Sequence, residues 1–212
     1  MAKRKYKYMV EPDEKLVKRK RRIKELIIWI IETILVLAAA YYISFYMLEK
    51  TSVIGDSMSP TLEEGEKILI NRMAYRFVDP ERFDVIVYKQ SNKEHSYYDV
   101  KRVIGLPGET VVIDGQGLIW INGERIHDQV IVDAMHNSGL AEEGVHLDEG
   151  EYFVLGDNRN QSEDSRFANV GNIVIGDIIG KAWIRLEPFS LIDELNLIRS
   201  GETESDEEEG IE

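Results

Sequence analysis

The chain has 212 residues with 26 basic and 39 acidic side chains, a formal net charge of −13, and no cysteine. Disulfides, thiolate metal sites and cysteine nucleophiles are thereby excluded, sortase-like transpeptidation among them, while the length suffices to bury a core. An acidic body also argues against a nucleic-acid partner, because phosphate binding relies on clustered Lys and Arg.

The charge is unevenly placed. Residues 1 to 25 carry eleven Lys or Arg against four acids, residues 49 to 200 carry fifteen against twenty-seven, and residues 201 to 212 carry seven acids and no base. From Leu26 to Leu48 the run LIIWIIETILVLAAAYYISFYML is apolar apart from Glu32 and a few hydroxyls. As a helix it would measure about 35 Å, enough to cross a hydrocarbon core of about 30 Å. A cleaved leader is the rival reading, although a leader's apolar stretch usually runs to about 7–15 residues. The cluster KRKRRIK at 18–24 stands immediately before the span. The positive-inside bias reads it as cytoplasmic, with a nucleic-acid arm as the alternative. Four segments follow: a basic cytoplasmic head at 1–25, a transmembrane helix at 26–48, an extracytoplasmic β-rich domain at 49–200, and an acidic tail at 201–212. The tail has no apolar face and is expected to be disordered.

Past Lys50 the pattern changes to short Val- and Ile-rich runs divided by Gly, Asn, Asp and Pro. KILIN, DVIVYK, VKRVIG, TVVID, LIWIN, EYFVLGD and DIIGKAWIRL have the composition and spacing of strands. The fold class expected is therefore mainly β, a sheet or barrel-like body behind one N-terminal transmembrane helix. Asn122-Gly123 inside LIWINGERI marks a type I′ hairpin, and DGQG at 114–117 marks another turn. Residues 128–150 are rich in loop formers and read as an excursion from the sheet.

Two residues in this body invite chemistry. Ser57 sits in VIGDSMSPTL, where Gly55 permits an unusual backbone angle and Pro60 interrupts regular structure, so the serine is presented on a turn. An ordinary turn serine has the same surroundings. Only nine positions separate it from the end of the span, which limits its distance from the membrane boundary to about 32 Å. Lys101 lies inside the apolar run YDVKRVIGLPGE. Strand alternation puts Val100 and Arg102 on one face and Lys101 and Val103 on the other, so one of two adjacent bases points inward unless the strand is an edge. Such a lysine either snorkels or is held neutral as a base. Neutralising an unperturbed lysine at pH 7 requires roughly 4.6 kcal/mol, most of which desolvation removes. A base of this kind requires Asp99 and Asp164 to point away or to be matched by another cation such as Arg166. The four histidines, His95, His127, His136 and His146, have no catalytic or metal-ligand spacing.

Three segments, GDSMSPTL at 55–62, YDVKRVIGLPGE at 98–109 and GDNRNQSEDSR at 156–166, stand in this order behind one span. Together they resemble the type I signal peptidases, the bacterial leader peptidases, and RFDVIVYK at 82–89 resembles a further strand of that family. The resemblance covers roughly residues 26–185. It implies a membrane-bound serine endopeptidase that removes signal peptides from exported precursors by cutting after small residues. By the same resemblance Ser57 would be the nucleophile, Lys101 the general base, Met58 part of the substrate site, and Ser162 the hydroxyl that orients the amine. Asp164 and Arg166 would be a structural pair, and Gly156 with Asp157 the turn beside the site. Gly55 replaces the serine that some members use to stabilise the oxyanion, which is similar to the Gram-positive branch and leaves the Ser57 N–H as the candidate donor. The implied partners are signal-peptide-bearing precursors and the bilayer, with no nucleic acid, no cofactor and no metal. The implied location is the bacterial cell membrane. Two alternatives remain: a self-cleaving repressor-type Ser–Lys protease, and a non-catalytic tethered β domain that binds a protein or peptide.

Overall fold

A computed structural model of the chain describes residues 14–90, 98–128 and 135–192. The first residues of the basic head, His95, residues 129–134 of the loop-rich stretch and the acidic tail lie outside the described residues. The chain divides into two compact units, Met1–Phe45 and Tyr46–Glu212.

The first unit is a helix. Helix α1 runs over Glu14–Tyr46, and within it Lys18–Ile43 is long and apolar enough to cross a membrane, with none of its side chains buried. Two of its polar side chains bond within the helix: Arg21 pairs with Glu25 one turn on, and the Thr33 hydroxyl donates to the Trp29 carbonyl. The expected span of 26–48 is two residues too long, since α1 ends at Tyr46 and Leu48 opens the first strand.

The second unit is β. Strands β1 (Leu48–Ser52), β2 (Lys67–Asn71), β3 (Val85–Lys89), β4 (Tyr98–Gly105), β5 (Thr110–Ile113) and β6 (Ile119–Ile121) come first. They are followed by β7 (Glu124–Arg125), β8 (Val145–His146), β9 (Glu151–Leu155), β10 (Ile173–Val174), β11 (Ile178–Leu186) and β12 (Phe189–Leu191). The larger sheet has the order β1-β2-β11-β3-β4-β9-β10, with β12 added to β11, and the smaller has the order β7-β6-β5-β8. Every pairing is antiparallel. The Asn122-Gly123 turn has positive φ at both residues, 52° and 84°, as a type I′ hairpin requires. The stretch 128–150 is not wholly an excursion, because β8 returns to pair with β5.

The larger sheet is covered on both faces around β3 and β4. One face carries Val85, Val87 and Val100 packed with Met58, Leu62, Ile68, Ile70 and Ala182. The other carries Ile86, Tyr88 and Val103 packed with Tyr152, Val154 and Ile173. Double coverage explains why these two strands are almost continuously buried rather than alternating. It also overturns the expectation that only one of Lys101 and Arg102 is inside: they are 3% and 0% exposed.

Candidate active site

Ser57 lies on the connection between β1 and β2. The connection is closed at its base by Val53 N–H to Glu66 O at 2.9 Å and Gly65 N–H to Val53 O at 3.0 Å. Gly55 turns the chain with φ of 75°, a conformation most side chains resist. Beyond it, Ser59 N–H donates to Asp56 O and Leu62 N–H to Met58 O, while Met58 and Leu62 are fully buried in the core. The turn is thus anchored from beneath, and Ser57 stands on top of it, partly exposed. Met58 offers no free surface; it forms the floor under the serine.

Lys101 reaches the serine from the centre of β4, opposite Ile86 on β3. Its Nζ is 2.8 Å from Ser57 Oγ and 3.2 Å from the Val100 carbonyl. No carboxylate forms an ion pair with it among the described residues. Burial pushes the Lys101 ammonium below its usual range, against the opposing pull of Asp99, Asp164, Asp157 and Glu163.

Two of these acids, Asp164 and Asp157, are held by arginines instead. Asp164 accepts from Arg166 Nε at 2.7 Å and Nη2 at 2.8 Å, and also from the Gly156 N–H. Asp157 accepts two bonds from Arg102, at 2.8 and 2.7 Å, with both side chains at most 1% exposed. Arg102 also donates to the Phe83 carbonyl. A third buried pair, Arg159 with Asp128, ties the same loop to the start of the 128–150 stretch, and Arg159 Nε donates to Gly156 O.

The loop after β9 touches the serine turn directly. Asn158 N–H donates to Ser57 O at 3.1 Å, and its side-chain amide donates to Asp56 O at 3.2 Å. Gly156 is packed so closely that a Cβ there would collide with the Ser57 carbonyl and with Ser162. Ser162 is buried against this turn, yet among the described residues its Oγ has no hydrogen-bond partner, and no direct bond to Lys101 is formed. The structure therefore brings Ser57, Lys101, Gly156, Asp157, Ser162, Asp164 and Arg166 to one place. It adds Arg102 and Asn158, which the sequence reading did not single out. The described histidines, His127, His136 and His146, are exposed and make no contact with Ser57.

Comparison with known proteins identifies the family. The family model described as "Signal peptidase, peptidase S26" matches residues 26–187. Signal peptidase I of Leptolyngbya laminosa is 37% identical over 156 residues, 71% of this chain and 74% of the relative. Signal peptidase I P of Bacillus subtilis subsp. natto is 32% identical over 170 residues, 77% of this chain and 90% of the relative. A crystal structure of a signal peptidase I from Enterococcus faecalis V583 is 31% identical, covering 49% of this chain and 96% of that one with a TM-score of 0.40. A family model that takes in most of the β body, joined by relatives of this identity and coverage, places the chain in the signal peptidase family, peptidase S26, as a serine peptidase.

Proposed function

We propose that this chain is a membrane-anchored endopeptidase that removes signal peptides from exported precursor proteins, with Ser57 as nucleophile and neutral Lys101 as general base. The observation that carries this reading is the 2.8 Å approach of a buried, carboxylate-free lysine to a partly exposed serine. A serine hydroxyl needs a group to take its proton, and a lysine serves only when its environment disfavours the charged form.

In the reaction, the Lys101 amine accepts the Ser57 proton as Oγ adds to the scissile carbonyl. Lys101 then donates that proton to the departing amine, leaving an acyl-enzyme. In the second half Lys101 takes a proton from water as the water oxygen adds to the acyl carbon. It returns the proton to Ser57 Oγ as the acyl–Oγ bond breaks, releasing the carboxylic acid and restoring neutral Lys101. The Ser57 N–H, which donates to nothing among the described residues, faces the developing oxyanion. Gly55 has no side chain to supply a second donor. Substrate lies extended beside the serine turn, with small residues selected just before the cut and one residue farther upstream.

Anchoring follows from α1, and the basic cluster at 18–24 orients the head toward the cytoplasm and the β body outward. The bond cut is then near the membrane, where the apolar segment of a signal peptide ends.

The direct experiment incubates the full chain in detergent with a precursor whose signal peptide ends in Ala-x-Ala. Cleavage after the second Ala is expected, and replacing that Ala by Phe in the precursor should block it. A precursor cut equally well with Phe there would refute the small-residue specificity. Asn158 provides a graded test of the serine turn. Asn158→Ala deletes the side-chain bond to Asp56 O and keeps the backbone bond to Ser57 O. One such hydrogen bond contributes about 0.5–1.5 kcal/mol, so a fall of about 2- to 12-fold in kcat is expected with the fold retained.

A further inference from the structure

Among the described residues, two buried hydroxyls have no hydrogen-bond partner, Tyr88 Oη and Ser162 Oγ. Tyr88 is 1% exposed and Ser162 7%. Tyr88 lies on the side of the larger sheet that carries Lys101, and Ser162 packs against Gly156 beside the serine turn. Tyr88 pairs with Asp99 and Ile86 with Lys101, so Tyr88 and Lys101 are diagonal neighbours on one face. Such neighbours are roughly 7–8 Å apart, and their side chains stand off the sheet in the same direction. Ser162 enters from the loop: a Cβ on Gly156 would lie 2.5 Å from Ser162 Cβ and would also strike the Ser57 carbonyl. Asp164, bonded to the Gly156 N–H, acts electrostatically on Tyr88 and on Lys101, as does Asp99.

The ring of Tyr88 packs among Tyr152, Val154 and Ile173, surroundings in which phenylalanine would serve equally well. Leaving its hydroxyl unsatisfied would cost about 1–3 kcal/mol. The amine of Lys101 has a matching deficit. When neutral it has one lone pair and two N–H groups; the lone pair is taken by the Ser57 hydroxyl and one N–H reaches Val100 O. The second N–H has no acceptor among the described residues.

We propose that Tyr88 and Ser162 jointly hold a buried water on the Lys101 face of the sheet, and that this water accepts the second N–H of the amine. Tyr88 is then a positioning residue for the general base, an assignment that rests on Lys101 being that base. The water accepts from Lys101 Nζ and from Tyr88 Oη and donates to Ser162 Oγ. Three bonds are about the number an internal water makes. Burial, reinforced by Asp99 and Asp164, raises the phenol above its usual range, so Tyr88 stays a proton donor throughout the working pH range. The charged groups facing the site are Asp99 on β4 and Asp157, Glu163 and Asp164 in the loop, of which Asp157 is paired with Arg102 and Asp164 with Arg166. With the amine fixed at all its bonds, its lone pair stays aimed at Ser57 Oγ.

The test compares Tyr88→Phe, Ser162→Ala and the double variant of the full chain in detergent, reading kcat, KM and pH dependence of precursor cleavage. Tyr88→Phe should lower kcat about tenfold with KM unchanged. Its limb for Lys101 should move to lower pH, because the water that accepts from the ammonium is no longer held. Ser162→Ala should move the limb the same way, and the double variant should be no worse than the more impaired single one. A Tyr88→Phe chain with the parental kcat and limb would overturn the proposal, as would a loss of melting temperature and kcat without movement of the limb, or losses that multiply in the double variant. Should Tyr88→Phe not fold, 3-fluorotyrosine at position 88 keeps the hydroxyl and changes its acidity; an unmoved limb then counts against the water. Lys101→Met is assayed alongside: activity retained there would strike the base itself, whereas failure at Tyr88 alone would leave the base standing.

Discussion

Ser57→Ala and Lys101→Ala should each lower kcat for precursor cleavage by about 10⁴-fold or more, and the double variant should be little worse than either alone. Residues that act as one unit lose most of their effect with the first deletion, so the losses are far from additive. The pH dependence identifies the base. Lys101 must be neutral to accept the serine proton, so activity rises with pH through its pKa, which burial places below the usual 10.5. A limb that survived replacement of the histidines one by one would be assigned to Lys101; a limb that vanished with any of them would dismiss Lys101 as the base. Stability should rise with pH in the same sense as activity. Between the folded and the unfolded pKa of Lys101 the unfolded chain binds the extra proton, so stability contributed by this site rises with pH across that window. Below the folded pKa the full penalty of a buried ammonium is present, and above the unfolded pKa it is gone. Lys101→Met should therefore melt higher than the parent at neutral pH, with the gain disappearing above about pH 10.5. Thermal melts of both chains across this range check it, and a Met variant less stable at pH 7 would show that the lysine is not under strain.

Much of both sheets was legible because their longer strands are runs rich in β-branched residues with clear ends. KILIN coincides with β2, and the runs around β3, β4, β5, β6, β9 and β11 fall within a residue or two of the observed strands. Strands β7, β8, β10 and β12 have two or three residues and exist through their partners rather than their composition. Strand β1 was hidden because LEKTS follows the apolar run with no breaker, so the run appeared to extend to Leu48.

The site was legible in a different measure. Asp164 and Arg166 were legible only through the resemblance of GDNRNQSEDSR to the family's motif, since on composition alone the segment is a polar loop, whereas Gly55 stood out by its place before the turn. Strand alternation misjudged Arg102 because it cannot see a loop more than fifty residues later that covers the second face of β4 with Asp157. Asn158 was equally hidden: its two bonds to the serine turn depend on where the loop lands, and in sequence it is one polar residue among many.

Arg102 and Asp157 carry the second large effect. Asp157→Asn keeps the size of the side chain and removes the charge that matches a guanidinium 1% exposed in the sheet. Breaking one half of a buried pair typically destabilises by about 3–5 kcal/mol, a large share of the roughly 5–15 kcal/mol that holds a domain folded. The denaturation midpoint of the full chain should fall accordingly, and cleavage should fall with it. Asp157 is flanked by Gly156, which abuts Ser57, and by Asn158, which bonds its carbonyl. Replacing both partners, as Arg102→Met with Asp157→Leu, separates the two consequences. Without any buried charge the stability should recover to near the parental value, since well-packed apolar residues can substitute for an ion pair. Activity should not recover, because the fork of Arg102 fixes the direction of Asp157, and through it the bonds that Asn158 makes to the serine turn. A double variant both stable and fully active would show that the pair serves folding alone. Under the proposed mechanism, adjacent residues on β4 have opposite assignments: Lys101 is left without an ion pair so that it can act as a base, and Arg102 is matched so that the loop bearing on Ser57 is fixed.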